Sequence, residues 1–127
     1  MARDVDVLFC ITPGGAATHH LVNREVMDAL GPEGTLINVG RGPVVDEAEM
    51  VKALQDGTLG NAGLDVFEAE PQVPSALYTM DQVTLLPHVG SATVETRQAM
   101  GNLAVNNLLQ FLSQGTVISP VPECQSE

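Results

Sequence analysis

Four short apolar runs punctuate the chain: DVLFCIT (6–12), TLINVG (35–40), AGLDV (62–66) and VTLLPH (83–88). Each is rich in β-branched or aliphatic side chains and shows little alternation, which predicts strands buried on both faces. Between the first two, NREVMDALGPEG predicts a short helix that starts near Asn23 and stops at Gly31 and Pro32. After the second, DEAEMVKALQDG offers Asp46 as N-cap and Glu49 as its capping-box partner. Met50, Ala53 and Leu54 then form an apolar face, and Gly57 terminates the helix. Strands alternating with helices of this length imply βαβ units, a parallel sheet and the α/β class.

The last apolar pattern is longer. From about 93 to 114, Met100, Leu103, Ala104, Leu108, Phe111 and Leu112 recur at three- and four-residue spacing. Such a helix is a rod about 30 Å long, more than a crossover needs, so it is expected to carry the chain elsewhere. The tail SPVPECQSE is interrupted by proline and polar, and reads as an exposed end. There is no internal repeat and no low-complexity linker.

Composition narrows the class. A chain of 127 residues with 44% hydrophobic and 17% charged residues is expected to be one globular domain. Aromatics are confined to Phe9, Phe67, Tyr78 and Phe111, so the core must be aliphatic. A net charge of −11 argues against a nucleic-acid surface and against anionic membranes. The early apolar run 7–11 is too short for a signal segment or a membrane span. Cys10 and Cys124 stand far apart with no metal spacing, and read as free thiols of a cytoplasmic protein.

Ligands of an open parallel sheet bind beyond the carboxyl ends of its strands. The first end is Thr12 and Pro13, followed by Gly14 and Gly15; the second is Gly40, Arg41 and Gly42. The third carries Asp65, with Glu68 and Glu70 next; the fourth is Pro87 and His88, then Gly90. One cation, several carboxylates and a histidine thus share one rim, an arrangement suited to holding an acid and moving a proton. Arginine holds a carboxylate through two parallel hydrogen bonds, and a carboxylate behind a histidine fixes its tautomer. With only five Lys and Arg against 16 Asp and Glu, an arginine at the end of a buried strand calls for an anionic partner.

Each residue also has a plainer reading. Arg41 could pair with Asp46 or Glu47, and His88 could be an ordinary turn histidine. Glu68 and Glu70 could be solvated loop residues. Asp65, inside an apolar run, needs a partner or a ligand. His19 and His20 lack companion ligands nearby in sequence and read as loop residues.

The stretch LINVGRGPVVDEAEMVKALQDGTLGNAGLDVFEAEP, followed by VTLLPHVGSATVETRQAM, resembles the C-terminal part of the D-isomer-specific 2-hydroxyacid dehydrogenases. The likeness is to the glyoxylate/hydroxypyruvate reductase branch and runs from about residue 5 to 123. It implies the second half of a Rossmann-type parallel sheet with flanking helices, plus a long C-terminal helix. On that basis 1–92 would be the C-terminal half of a nucleotide-binding domain, and 93–127 a return helix and tail.

By the same resemblance Arg41 orients the substrate, His88 is the acid/base, and Glu70 is the carboxylate partner of that histidine. Thr12, Val39, Gly40, Arg41, Asp65, His88 and Gly90 match positions lining the nicotinamide side of an NAD or NADP cofactor. The substrates implied are small 2-keto or 2-hydroxy acids.

Family members run to somewhat over three hundred residues, and this chain has no G-x-G-x-x-G after a strand. GGAATHH is a glycine pair in a loop. The isolated chain is therefore expected to be inactive and, with one sheet edge and one helix face uncovered, to form a homo-oligomer such as a dimer. The alternative is a non-catalytic binding or oligomerisation module that keeps the fold.

Overall fold

The strands form where the apolar runs lie, but each is shorter: β1 (Val7–Cys10), β2 (Thr35–Asn38), β3 (Asn61–Leu64) and β4 (Val83–Leu85). All pair in parallel, in the order β1-β2-β3-β4. This computed structural model describes residues 1–122, so Cys124 and the end of the tail lie outside the described residues. The residues trimmed from the C-terminal ends of the runs leave the sheet as loops, and the candidate residues stand on those loops.

The helices follow their capping residues. Helix α1 (Arg24–Leu30) starts at Asn23, whose side chain accepts from the Val26 N–H at 3.2 Å. Helix α2 (Glu47–Asp56) starts at Asp46, which accepts from the Glu49 N–H at 3.1 Å, and ends at Gly57 in the left-handed conformation. Only half of the expected capping box forms. The Glu49 carboxylate pairs with Lys52 instead, and the Asp46 N–H donates to the Val22 carbonyl.

Met27 and Leu30 of α1 and Met50, Ala53 and Leu54 of α2 pack on Leu36, Ala62 and Leu64 of the sheet. Each large aliphatic side chain buried there contributes roughly 1.5–3 kcal/mol.

Burial on both faces of the sheet, expected from the continuous apolar runs, does not occur. Val7, Phe9 and Ile11 are 50%, 55% and 73% exposed, and β4 has no buried residue. The reason is topological. Strands added in chain order by crossovers of one hand place their helices on one face, and covering the second face requires the order to reverse.

An exposed clamp ties α1 to the end of α2. Arg24 donates to Asp28 at 2.7 Å and to Asp56 at 2.8 Å, while the Thr58 hydroxyl and amide donate to Asp56 at 2.6 and 3.0 Å. These bonds, Thr58 first and Arg24 next, lower the Asp56 pKa from 3.8 to about 2. A depressed carboxyl stabilises the fold above its unfolded pKa and loses that contribution as pH falls through the folded value. A carboxyl NMR titration should therefore find the Asp56 midpoint near pH 2, raised more by Thr58→Val than by Arg24→Ala. A midpoint in the ordinary range of about 3.9 would remove this clamp from the account.

The chain divides into two compact units, Met1–Gly90 and a second beginning at Ser91. The second is built on α3 (Val94–Gln114), capped by Thr93 and closed at Gly115 in the left-handed conformation. The helix lies where the spacing places it and buries none of its residues. The described start of the tail is mostly exposed, as expected, and is tied to α3: Asn107 accepts from the Ile118 and Ser119 N–H groups at 2.9 and 3.0 Å. Among the described residues no helix is long and apolar enough to cross a membrane.

Candidate functional site

Beyond β2 the chain turns sharply around Asn38, which is 1% exposed. Its side-chain oxygen accepts from the Gly40 N–H and its amide donates to the Arg41 carbonyl, both at 3.1 Å. A buried amide satisfied in this way fixes the turn that presents Arg41. The next residue, Gly42, lies against the Phe67 carbonyl and the Glu68 amide, where a Cβ would collide with backbone. The loop carrying Arg41 is thereby locked to the loop carrying Glu70.

Arg41 itself is exposed, so the expectation of a costly buried cation is corrected. The plainer pairing is excluded as well. Asp46 faces His20, the Glu47 carboxylate accepts from the Glu68 N–H, and Arg41 donates to its neighbour Gly40 at 2.7 Å. Among the described residues Arg41 has no carboxylate partner, and its remaining donors stay available for an anion.

Glu70 and His88 meet. His88 Nδ1 lies 2.8 Å from Glu70 Oε2, while Glu70 Oε1 accepts from the Phe67 N–H at 3.0 Å. The bond from His88, then that from Phe67, with Arg41 adding its field, hold the Glu70 carboxyl below its ordinary value. An ionised Glu70 sets the Nδ1–H tautomer and leaves Nε2 as the nitrogen that exchanges a proton. Phe67, Val73, Tyr78, Leu85 and Leu86 wall a mostly apolar pocket of about 400 Å³ beside the pair.

Asp65 resolves the question raised by its apolar surroundings. It is 3% exposed, and its two oxygens accept from the Val89 and Gly90 N–H groups at 2.7 Å each. These bonds pull the chain into a tight turn in which His88 takes φ +57°, a left-handed conformation uncommon for a residue with a side chain. Asp65 thus aims His88.

Thr12, Val39 and Gly40 stand on the adjacent ends of β1 and β2, where the Val39 N–H donates to the Cys10 carbonyl at 3.2 Å. The Thr12 hydroxyl oxygen is buried and has no hydrogen-bond partner among the described residues. Burial pushes the Cys10 thiol up, away from the reactive thiolate form.

Two features escape the sequence reading. Asn38 sits in an apolar run, the same signal that draws attention to Asp65, yet it reads as an ordinary strand residue. His19 and His20 have a companion after all, since His20 Nε2 lies 2.9 Å from Glu68 Oε1. That partner lies 48 positions along the chain, beyond any local spacing rule.

The profile of the D-isomer specific 2-hydroxyacid dehydrogenase, NAD-binding domain family matches residues 1–90. The chain belongs to this family. Its sheet and helices are the second half of a Rossmann-type fold.

The chain is 54% identical over 121 residues to hydroxyphenylpyruvate reductase of Plectranthus scutellarioides, covering 95% of this chain and 39% of that protein. It has the same identity and coverage with a glyoxylate/hydroxypyruvate reductase A of Arabidopsis thaliana. Among solved structures it is similar to the NADPH-dependent glyoxylate/hydroxypyruvate reductase of Sinorhizobium meliloti, in complex with NADP and malonate. There the TM-score is 0.92 at 56% identity, over 96% of this chain and 38% of that one. The chain thus spans about two fifths of the length of these relatives.

Proposed function

We propose that this chain is the proton-transfer part of an NAD(P)-dependent reductase that converts 2-keto acids of the glyoxylate/hydroxypyruvate type to D-2-hydroxy acids. The observation that carries this reading is the 2.8 Å His88–Glu70 contact on the same rim as Arg41, which has no carboxylate partner among the described residues. Names of relatives sharing about half of its residues support the substrate class. Residues 1–92 are assigned to the nucleotide-binding half and the segment from 93 onward to the return helix and tail.

The residues fit a nicotinamide cofactor. The buried Thr12 hydroxyl has no protein partner among the described residues, and with Val39, Gly40, Asp65 and Gly90 it would line the nicotinamide side of the cofactor. The chemistry that a bound reduced nicotinamide supplies is a hydride for the carbonyl carbon. The chain supplies the rest. Arg41 holds the substrate carboxylate through two parallel N–H donors and polarises the keto oxygen. His88 donates its Nε2 proton to that oxygen as negative charge develops, and Glu70 stabilises the imidazolium before the transfer.

The sequence holds no glycine-rich turn to cradle a pyrophosphate. Remote binding energy is what sets the reacting geometry, so the isolated chain should show no NADH- or NADPH-dependent reduction of glyoxylate or hydroxypyruvate. Steady turnover by purified chain that disappears in Arg41→Ala would contradict this.

Assembly is a second reading, favoured by one observation: Leu103, Leu108, Phe111 and Leu112 of α3 are 45–74% exposed. Burying each is worth roughly 1.5–3 kcal/mol, enough to hold two copies together. Light scattering on the isolated chain should give a dimer or larger, and a monomeric mass at high micromolar concentration would exclude it.

A further inference from the structure

We propose that His19, His20 and Glu68 form a binding site for a divalent transition-metal ion of the zinc class, with Asp46 as the carboxylate that orients His20. The site is separate from the His88–Glu70 pair and does not depend on the reaction proposed above.

Neighbouring side chains on an extended chain point to opposite sides. Here His20 takes φ +50°, a left-handed conformation, and the His19 and His20 rings lie stacked, with centroids 3.9 Å apart and planes at 26°. The His20 N–H donates to the Pro43 carbonyl at 2.8 Å, so this geometry is anchored at the backbone. Glu68 arrives from the loop after β3. One donor atom from each of the three residues lies within 4.8 Å of the others.

The contacts of His20 point to a cation. Its Nε2 is 2.9 Å from Glu68 Oε1, and its Nδ1 is 3.4 Å from Asp46 Oδ2. A neutral imidazole carries one N–H, so with both ring nitrogens against carboxylates one lone pair faces an anion. A second proton relieves that contact, and so does a metal. With the N–H on Nδ1 facing Asp46, Nε2 becomes a ligand in the carboxylate–histidine–metal arrangement.

Two imidazole nitrogens and one carboxylate oxygen, with a fourth position for water, make an open zinc-type set. Imidazoles favour zinc, nickel or copper over magnesium and calcium. Bonds of about 2.0–2.2 Å imply donors roughly 3.3 Å apart, so on binding the three would draw closer than the 4.8 Å span they occupy here. The His19 side chain has no hydrogen-bond partner among the described residues, and its ring contact is the stack on His20. Acidic groups predominate at the site, with Asp46 and Glu47 at the start of α2 and Glu68 from the opposite loop, while Lys52 further along α2 acts on Asp46. In a chain of net charge −11 this surplus favours a dication.

The test is calorimetric titration of chelator-treated chain with zinc chloride, in a Cys124→Ser background so that the tail thiol does not compete. One zinc per chain is expected. His19→Ala and Glu68→Gln, at exposed positions, should each abolish that stoichiometric binding while the circular dichroism stays unchanged. Asp46→Asn still caps α2 and should weaken binding about 10–100-fold, the usual effect of losing a ligand's orienting carboxylate. Binding should be unchanged in Glu70→Gln. No stoichiometric binding, or binding that survives both His19→Ala and Glu68→Gln, overturns the proposal.

Discussion

In a complete reductase carrying this segment, replacing His88 should lower kcat for keto-acid reduction about 10²–10⁴-fold, the usual range for losing a positioned acid. A suitable protein is a chimera in which residues 1–122 replace the matching segment of the Sinorhizobium reductase, to which the chain is 56% identical. His88→Asn is the cleaner variant, because asparagine tolerates the left-handed conformation that His88 adopts at φ +57°. It keeps the turn held by Asp65 while removing the proton donor. KM should change little, since the substrate carboxylate is held elsewhere. A kcat within a few-fold of the parent would show that the proton comes from another group.

Arg41→Lys separates capture from chemistry. A lysine keeps the charge but presents a point donor instead of two parallel ones. Losing one charge-assisted hydrogen bond of roughly 1.5–3 kcal/mol raises KM about 10–150-fold at 1.4 kcal/mol per tenfold. The loss should be larger for KM than for kcat, and steady-state kinetics with glyoxylate reads both. The Arg41 side chain is exposed and has no carboxylate partner among the described residues, so the variant should fold as the parent does. An unchanged KM would mean that Arg41 does not touch the substrate.

The caps were the most legible part of the fold. Asn23 and Asp46 accept from backbone N–H groups three residues on, and Gly57 takes the left-handed conformation that ends α2, all set by local sequence. Strand positions were legible for the same reason, but their burial was not. Phe9 and Ile11 lie in an apolar run yet face outward, because which face a helix covers depends on the order of strands in the sheet.

Within the site, Arg41, Glu70 and His88 were legible as residues at strand ends, and the roles proposed for them rest on family resemblance. Their supports were not. Asn38 under Arg41, the Asp65 carboxylate under the 88–90 turn and Gly42 against the next loop act through backbone contacts formed only on folding. The reach from His20 to Glu68 crosses 48 positions, which no periodicity encodes.

The central claim is that Glu70 is the carboxylate that keeps a proton on His88 for the reaction. Its carboxyl is held below its ordinary value chiefly by the His88 bond. Reduction needs that proton, so its rate should fall as pH rises through the titration of the pair, and oxidation of the hydroxy acid should show the opposite limb. The decisive measurement is the pH dependence of kcat/KM in both directions for the chimera, its Glu70→Gln variant and its Glu68→Gln variant. Glu70→Gln should move both limbs to lower pH, while Glu68→Gln, whose carboxylate serves His20 instead, should leave them in place. Limbs that stay put in folded Glu70→Gln, or that move in Glu68→Gln, would contradict the account.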